Sequence, residues 1–118
     1  MEDYNKIKII ISDIDGVWTD GSVYKGTDNI EFKKFSVFDG VGVAYARAAD
    51  LKIAIISARY SPATEYRAKE LNIEDCYNGG LNKLHAYNEI KQKYSLSDDM
   101  IAYSVSYTHL RAHETLHY

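Results

Sequence analysis

Two aspartates separated by a single residue, Asp13 and Asp15, have the types and spacing that acid-base or metal chemistry requires. They follow the β-branched run Ile7–Ile14, which predicts a buried strand. Open α/β sheets bind ligands at the carboxyl ends of their strands. In an extended segment both carboxylates would lie on one side of the chain. Because like charges repel, Mg²⁺ would stabilise the pair, although a polar turn after a strand has the same composition.

Three later residues have the chemistry to bind a phosphate group. Ser57 ends a second apolar run and offers a hydroxyl, and Ala58 offers a backbone N–H. Lys83 opens a predicted helix, where an ammonium and helix-terminal N–H groups favour an anion. Taken singly, Ser57 is typical of a turn and Lys83 of a solvated surface. Because Ser57 and Ala58 follow one predicted strand and Lys83 follows the next, we expect them at one edge of a sheet.

The elements that must position these residues alternate in type along the chain. The prediction comprises a strand at Ile7–Ile14, a hairpin at Gly21–Phe35, a helix from Asp39, a strand at Ile53–Ile56, a helix from Ser61-Pro62 to about Leu71, a strand at Asp75–Tyr77, a helix from Lys83 and a strand at Met100–Tyr103. This order predicts an α/β, Rossmann-like fold with a parallel sheet and helices on both faces.

Two of the predicted helices carry apolar stripes at helical spacing. Asp39 is expected to cap the first helix, because aspartate is a favoured N-cap residue. The predicted buried faces are Val41, Ala44, Tyr45 and Ala48 in the first helix and Leu84, Tyr87, Ile90 and Tyr94 in the last.

Composition limits the class of protein. A chain of 118 residues with 46% hydrophobic and 26% charged residues is typical of one soluble domain. The net charge of −3 argues against a nucleic-acid partner, and the lack of a long apolar run argues against a membrane partner. Cys76 is the single cysteine and the segment Met1–Lys8 is polar, which favours a cytoplasmic location.

The last residues differ in character from the rest of the chain. Val105–Thr115 resembles the in-frame translation of a transposase adapter used in sequencing libraries. We therefore expect a native domain at residues 1–103 and a non-native tail at residues 104–118. The tail also contains His109, His113 and His117, whose spacing would otherwise suggest a metal site or a solvated tail.

Three segments carry a resemblance to a known family: DIDGVWTDG at Asp13–Gly21, IISAR at Ile55–Arg59 and NGGLNKL at Asn78–Leu84. They resemble the first three motifs of the haloacid dehalogenase superfamily. From Ile7 to Tyr103, hairpin included, the chain is similar to the cap-less 3-deoxy-D-manno-octulosonate 8-phosphate phosphatases. The resemblance implies a sugar-acid phosphate substrate, a part in lipopolysaccharide biosynthesis and a homotetramer built with the hairpin.

The resemblance also implies roles for individual residues. Asp13 would be the nucleophile that forms an aspartyl-phosphate, and Asp15 the general acid and then the general base. Mg²⁺ would bind Asp13 and the backbone carbonyl of Asp15. Ser57, Ala58 and Lys83 would hold the phosphoryl oxygens and offset the charge that develops on them, which also makes Lys83 part of the catalytic set.

Arg59 would bind the substrate carboxylate, because a guanidinium pairs with a carboxylate through two hydrogen bonds. An arginine at this position favours the octulosonate 8-phosphate over the substrate of a related nonulosonate 9-phosphate branch. Two other functions stay open on sequence alone. One is a receiver-like module phosphorylated on an aspartate, and the other is a non-catalytic domain that accompanies a sugar-acid cytidylyltransferase.

The sequence departs from the family where the fourth strand ends. The family's fourth motif places an acidic pair there, whereas Tyr103 is followed here by Ser104, Val105 and Ser106. A magnesium ion with too few oxygen ligands binds weakly. The family's final strand and C-terminal helices are also missing from the sequence. We therefore expect a C-terminally incomplete fold, and expect the 118-residue polypeptide to be poorly stable and essentially inactive.

Overall fold

Four parallel strands form the central sheet of the computed structural model, which describes residues 6–21, 23–28, 30–79 and 82–104. The strands are β1 (Ile9–Ser12), β4 (Lys52–Ser57), β5 (Asp75–Asn78) and β6 (Ile101–Ser104). Their order across the sheet is β5-β4-β1-β6, so β1 lies inside the sheet and pairs with a strand on each side. The carboxyl ends of β1, β4 and β5, which precede the candidate residues, therefore meet at one edge.

Three helices and a hairpin complete the described fold. The helices are α1 (Phe38–Ala48), α2 (Pro62–Glu70) and α3 (Lys83–Tyr94), and the hairpin strands are β2 (Tyr24–Lys25) and β3 (Glu31–Phe32). Ser61 has extended backbone angles at the N-cap of α2 and Pro62 is the first helical residue, as the sequence predicts. The predicted α/β fold is confirmed, with shorter β1 and hairpin strands and a β6 shifted by one residue.

Two apolar clusters cover opposite faces of the sheet. One contains Ile9 and Ile11 of β1 together with Ala86 and Ile90 of α3. The other contains Ile14, Ile55 of β4, and the helix residues Val43 and Ala68. Alternate residues of a strand point to opposite faces, which explains how Ile55 and Ile56 enter different clusters. Helices therefore lie on both faces, as predicted.

The predicted face of α1 is wrong. Val43 and Ala46 are buried, whereas Tyr45 is 73% exposed and Val41, Ala44 and Ala48 are also exposed. Apolar residues occur on several sides of this helix, so periodicity alone does not select the side that meets β4.

The predicted cap of α1 is also wrong. The N-cap is Val37, and Asp39 lies in the first turn of the helix. Asp39 N–H donates to Ser36 O at 3.2 Å, so helical hydrogen bonding begins before the residue expected to start it. The carboxylate still lies at the helix end whose dipole favours negative charge.

The predicted face of α3 is correct except at its first apolar residue. Ile90 is buried and Tyr87 and Tyr94 pack against the same cluster, but Leu84 is 52% exposed. Lys83 lies two helical turns before Ile90 and therefore shares its face. Leu84, one residue further along, points away from the sheet.

The predicted tail lies outside the described residues, apart from Ser104, which ends β6. His109, His113, His117 and the adapter-like segment Val105–Thr115 are among the residues outside the described part of the chain. Within the part of the chain that the structure describes, no helix is both long and apolar enough to cross a membrane.

Candidate active site

Backbone pairing fixes the positions of the candidate residues at the carboxyl edge of the sheet. Asp13 directly follows β1, and its N–H donates to Ser104 O at the end of β6 at 2.9 Å. Ser57 ends β4 and pairs with Asn78, the last residue of β5. The edge therefore holds two polar side chains and the Asp13 carboxylate, brought together from segments far apart in the sequence.

Asp13 and Lys83 form a buried ion pair. Asp13 is 1% exposed, and Lys83 Nζ lies 3.0 Å from Asp13 Oδ1. Burying a carboxylate is costly unless a partner offsets the lost hydration, and the Lys83 ammonium is such a partner for Asp13. Lys83 is positioned by the start of α3, where the Asn82 side chain caps the helix by accepting from His85 N–H at 3.0 Å. The structure thus brings two predicted site residues into direct contact.

A turn rather than a strand positions Asp15. β1 ends at Ser12, and Val17 and Trp18 N–H groups donate to Ile14 O at 3.1 and 2.8 Å. The expected strand alternation therefore does not extend to Asp15. Its carboxylate accepts a hydrogen bond from Lys33 Nζ at 2.8 Å, and the Lys33 side chain has no exposed surface.

A chain of hydrogen bonds supports the backbone on which Asp13 sits. Trp18 Nε1 donates to Ser12 Oγ at 2.6 Å, and Ser12 Oγ donates to Asp13 O at 2.8 Å. Ser12 is buried, so the hydroxyl has its donor and acceptor needs met inside the protein. The turn after β1 and the strand itself are thereby held in one arrangement around Asp13.

Ser57 and Ala58 occupy the corresponding position on the next strand. Ser57 is buried, and its Oγ donates to Arg59 O at 3.1 Å. Ser57 O accepts from Gly79 N–H at 2.8 Å. Ala58, the next residue, is partly buried in the loop that leaves β4. β1 and β4 are neighbouring strands, and adjacent strands lie about 4.8 Å apart, so this loop leaves the sheet next to the segment that carries Asp13.

Arg59 pairs with a glutamate of the hairpin. Its Nη1 and Nη2 lie 2.8 and 2.6 Å from the two carboxylate oxygens of Glu31. The hydrogen bonds from Arg59 lower the pKa of Glu31, and the same contact raises the pKa of Arg59. Both groups are therefore charged at neutral pH, and Arg59 lies beside the edge that holds Asp13 and Ser57.

Three site residues escaped the sequence analysis: Glu31, Lys33 and Asn78. Asn78 joins β5 to the start of α2, because its Oδ1 accepts from Ser61 N–H at 3.1 Å and its Nδ2 donates to Ser61 O at 2.7 Å. Glu31 and Lys33 are two residues apart in a predicted strand, and that spacing places them on one side. Their spacing could have indicated that the two side chains share one side of the strand. It could not have indicated their partners, which come from segments far away in the sequence.

Oxygen donors suited to Mg²⁺ lie at this edge. Asp13 supplies a carboxylate and Asp15 a carbonyl and a carboxylate, which are the hard ligands that this ion prefers. Within residues 6–21, 23–28, 30–79 and 82–104, however, no group of three or more His, Cys, Asp and Glu side chains could hold a metal ion. The described residues fit part of a magnesium coordination sphere.

Known proteins resemble the chain in sequence and in fold. No family model matches it. The 3-deoxy-D-manno-octulosonate 8-phosphate phosphatase of Escherichia coli K12 is 37% identical over 97 residues, which cover 82% of this chain and 52% of that protein. The crystal structure of the Yersinia pestis phosphatase of the same name superposes with a TM-score of 0.80 at 36% identity, covering 85% of this chain and 54% of that one.

The chain belongs to this phosphatase family within the haloacid dehalogenase superfamily. It spans about half the length of the curated relatives it matches. A further family structure, from Moraxella catarrhalis, contains a magnesium ion, a phosphate ion and the sugar acid itself. It is 33% identical, with a TM-score of 0.78, and covers 85% of this chain and 59% of that one.

Proposed function

We propose that the chain is the catalytic core of a phosphatase that hydrolyses 3-deoxy-D-manno-octulosonate 8-phosphate to the free sugar acid and phosphate. The buried pair of Asp13 and Lys83 at the carboxyl edge of the sheet carries the proposal. A nucleophilic carboxylate held in place by an ammonium, beside a serine hydroxyl, suits attack on a phosphate monoester. Membership of the phosphatase family supports the same reaction.

The proposed reaction has two steps that use the two aspartates differently. A carboxylate oxygen of Asp13 attacks phosphorus, the bond from phosphorus to the sugar C8 oxygen breaks, and protonated Asp15 gives its proton to that oxygen. Water then attacks the phosphorus of the aspartyl-phosphate, Asp15 accepts the water proton, and the bond from phosphorus to Asp13 breaks. Phosphate leaves, and both aspartates return to their starting states.

Lys83, Ser57 and the Ala58 N–H are proposed to hold the phosphoryl oxygens. Lys83 Nζ lies 3.0 Å from Asp13 Oδ1, so the oxygens of a phosphoryl group on Asp13 would lie close to the Lys83 ammonium. These donors are fixed by a helix start and a strand end, so little reorganisation is needed as charge develops.

Mg²⁺ is the proposed cofactor, as the Moraxella structure suggests by containing it. Asp13 and the Asp15 carbonyl would hold it, and the bound ion would offset the negative charge of the phosphoryl oxygens. The remaining ligands must come from outside the described residues or from water. The 118-residue polypeptide is therefore proposed to bind the ion weakly and to turn over little substrate.

Arg59 is proposed to select a sugar acid by binding its carboxylate. It is the partly exposed guanidinium beside the Asp13 edge, with 46% of its side chain accessible. The alternative substrate is a nonulosonate 9-phosphate, which also carries a carboxylate. Measuring kcat/KM for the octulosonate 8-phosphate and for the nonulosonate 9-phosphate shows which of the two is the preferred substrate.

The hairpin is proposed to build a homotetramer in the cytoplasm. Tyr24, Ile30 and Phe32 are 55%, 48% and 61% exposed, which is a large apolar area for a free surface. Covering them with a second copy would remove this area from water. The single cysteine, Cys76, suits a reducing compartment. Sedimentation of the protein with and without a Phe32→Asp change tests the assembly.

The activity test uses the protein expressed from its complete reading frame, with Mg²⁺ and 3-deoxy-D-manno-octulosonate 8-phosphate. We expect repeated turnover that is lost in Asp13→Asn and after removal of Mg²⁺ by a chelator. The matched control is Asp28→Asn, on the exposed hairpin turn. Phosphorylation that stops after one event would favour a receiver-like module, and no reaction with either sugar acid would favour a non-catalytic domain; both outcomes contradict the proposal.

A further inference from the structure

The segment Glu31–Lys33 contacts both loops that carry the proposed proton-transfer and substrate-binding residues. Glu31 accepts two hydrogen bonds from Arg59, in the loop after β4. Lys33 donates to Asp15, in the turn after β1. Strand β3 contains Glu31, and Lys33 follows it by one residue, so alternation points both side chains to the same side. One short segment therefore touches two loops that come from different strands of the sheet.

We propose that this segment, the β3 clamp, positions two functional side chains. Lys33 is a positioning residue for the Asp15 carboxylate, and Glu31 is a positioning residue for the Arg59 guanidinium. The inference rests on the proposed function, because it assigns these residues a part in phosphate ester hydrolysis. The clamp makes the hairpin a working part of the site as well as a surface for assembly.

Burial argues that the Lys33 contact is specific. The Lys33 side chain has no exposed surface, whereas most lysines keep the ammonium in water. An ammonium in this position needs an oxygen acceptor close by, and Asp15 Oδ1 at 2.8 Å provides one. Fixing one carboxylate oxygen sets the direction of the other. A carboxylate that must deliver a proton to a leaving group gains from that restraint.

The geometry of the Glu31 contact with Arg59 indicates that this contact is also specific. Its two oxygens engage both terminal nitrogens of Arg59, and the Glu31 side chain is 12% exposed. A two-bond contact fixes the plane of the guanidinium as well as its position. The remaining N–H groups of Arg59 then face a defined direction, where a carboxylate of the substrate can meet them. An unrestrained arginine would have to lose side-chain freedom on binding.

The test compares two substrates with different leaving groups, in the protein expressed from its complete reading frame. An alkyl phosphate such as the sugar-acid 8-phosphate needs a proton on its departing oxygen, whereas p-nitrophenyl phosphate releases a stable anion without one. kcat/KM reports only the steps up to the first irreversible one, here the loss of the leaving group. We expect Lys33→Met to lower kcat/KM by roughly 10-fold or more for the sugar-acid phosphate, and by less than about 3-fold for p-nitrophenyl phosphate.

Matched variants separate the contact from general damage. Lys33→Arg keeps a positive charge and is expected to restore most of the lost activity. Lys34→Met removes the exposed neighbouring lysine and is expected to leave kcat/KM unchanged for both substrates. Glu31→Gln is expected to raise KM for the sugar-acid phosphate by roughly 5-fold or more, because it weakens the restraint on Arg59, while p-nitrophenyl phosphate is unaffected.

A second measurement needs no activity and uses the full chain. Amide hydrogen exchange is expected to speed up in residues 14–19 for Lys33→Met and in residues 58–61 for Glu31→Gln, with the sheet amides unchanged. Equal losses on both substrates, or faster exchange throughout the chain, would show that the hairpin only stabilises the fold. Wild-type protein that hydrolyses neither substrate would refute the proposed function, and the exchange pattern would then decide on the clamp by itself.

Discussion

Gly79 illustrates how a single residue can hold two loops of the site together. Its φ of +100° lies in a region that side chains rarely adopt, and a Cβ placed there would approach Tyr60 Cβ to 2.6 Å. Its N–H also donates to Ser57 O at 2.8 Å. The loop after β5 can therefore pass close to the loop after β4 only where the side chain is a hydrogen atom.

Gly79→Ala is expected to destabilise the protein by about 2 kcal/mol or more, because strain and a steric clash act together. Gly42→Ala is the matched control. Gly42 lies inside α1, and apart from the backbone of its own helix no atom of the described residues comes within 4 Å of the place that an added methyl group would take, so that change is expected to stabilise by about 0.5–1 kcal/mol. Urea unfolding of the two variants measures both effects, and equal stability would contradict the steric argument.

Partial burial lowers the expected reactivity of the Cys76 thiol. Desolvation, with a smaller contribution from Glu65, raises its thiol pKa to about 11. Because the thiolate is the reactive form, alkylation by iodoacetamide at pH 8 is expected to be roughly 100-fold slower in the folded chain than in urea. Comparable rates in the two conditions would show that Cys76 is neither buried nor shielded as the structure describes.

At the scale of elements, sequence patterns predicted which segments are strands and helices better than which sides they bury. The β-branched run before Asp13 and the Ser61-Pro62 start of α2 were sufficient for those two elements, because they act locally. The side of α1 that meets the sheet was not predictable, since apolar residues surround that helix. The partners of Glu31 and Lys33 were not predictable either, because each contact joins segments far apart in sequence.

Two apolar residues of α3, Ile90 and Leu84, provide a test of the corrected face. Ile90→Ala removes a fully buried side chain from the cluster beneath the sheet and is expected to cost about 2–5 kcal/mol. Leu84→Ala, at an exposed position of the same helix, is expected to change stability by less than about 0.5 kcal/mol. Thermal or urea unfolding distinguishes them, and a larger loss for Leu84→Ala would restore the face that the sequence suggested.

Docking of the hairpin is expected to weaken in acid. The folded-state pKa of Glu31 lies below its ordinary value of 4.5, because Arg59 donates hydrogen bonds to it. The contribution of the ion pair is therefore present above the unfolded pKa and is lost as pH falls through the lower folded value. Arg59 is half exposed, so solvent screening keeps this effect on the free energy of unfolding small. Unfolding followed from pH 6 to pH 3 should show a smaller loss in Glu31→Gln than in the wild type.

At the scale of the whole molecule, the described fold superposes on structures of the phosphatase family. The sequence that follows β6 is where the chain departs from that family. We propose that residues 104–118 derive from a sequencing adapter, as the wording of Val105–Thr115 suggests. Long-read sequencing of the source DNA, without a transposase step, is expected to show a frame that continues into an acidic motif. A genomic sequence that truly encodes Val105–Thr115 and then stops would contradict the adapter proposal and the enzyme proposal together.

The pairing of β1 also determines when the proposed nucleophile is assembled during synthesis. β1 emerges first, but its partners begin only at Lys52 and Ile101. On the β6 side Ile11, two residues before Asp13, pairs with Tyr103. Until the ribosome has released that residue, Asp13 belongs to an unpaired edge and its chain must be kept from associating with other strands. The order of the strands therefore makes this protein depend on late folding, and on protection of β1 until then.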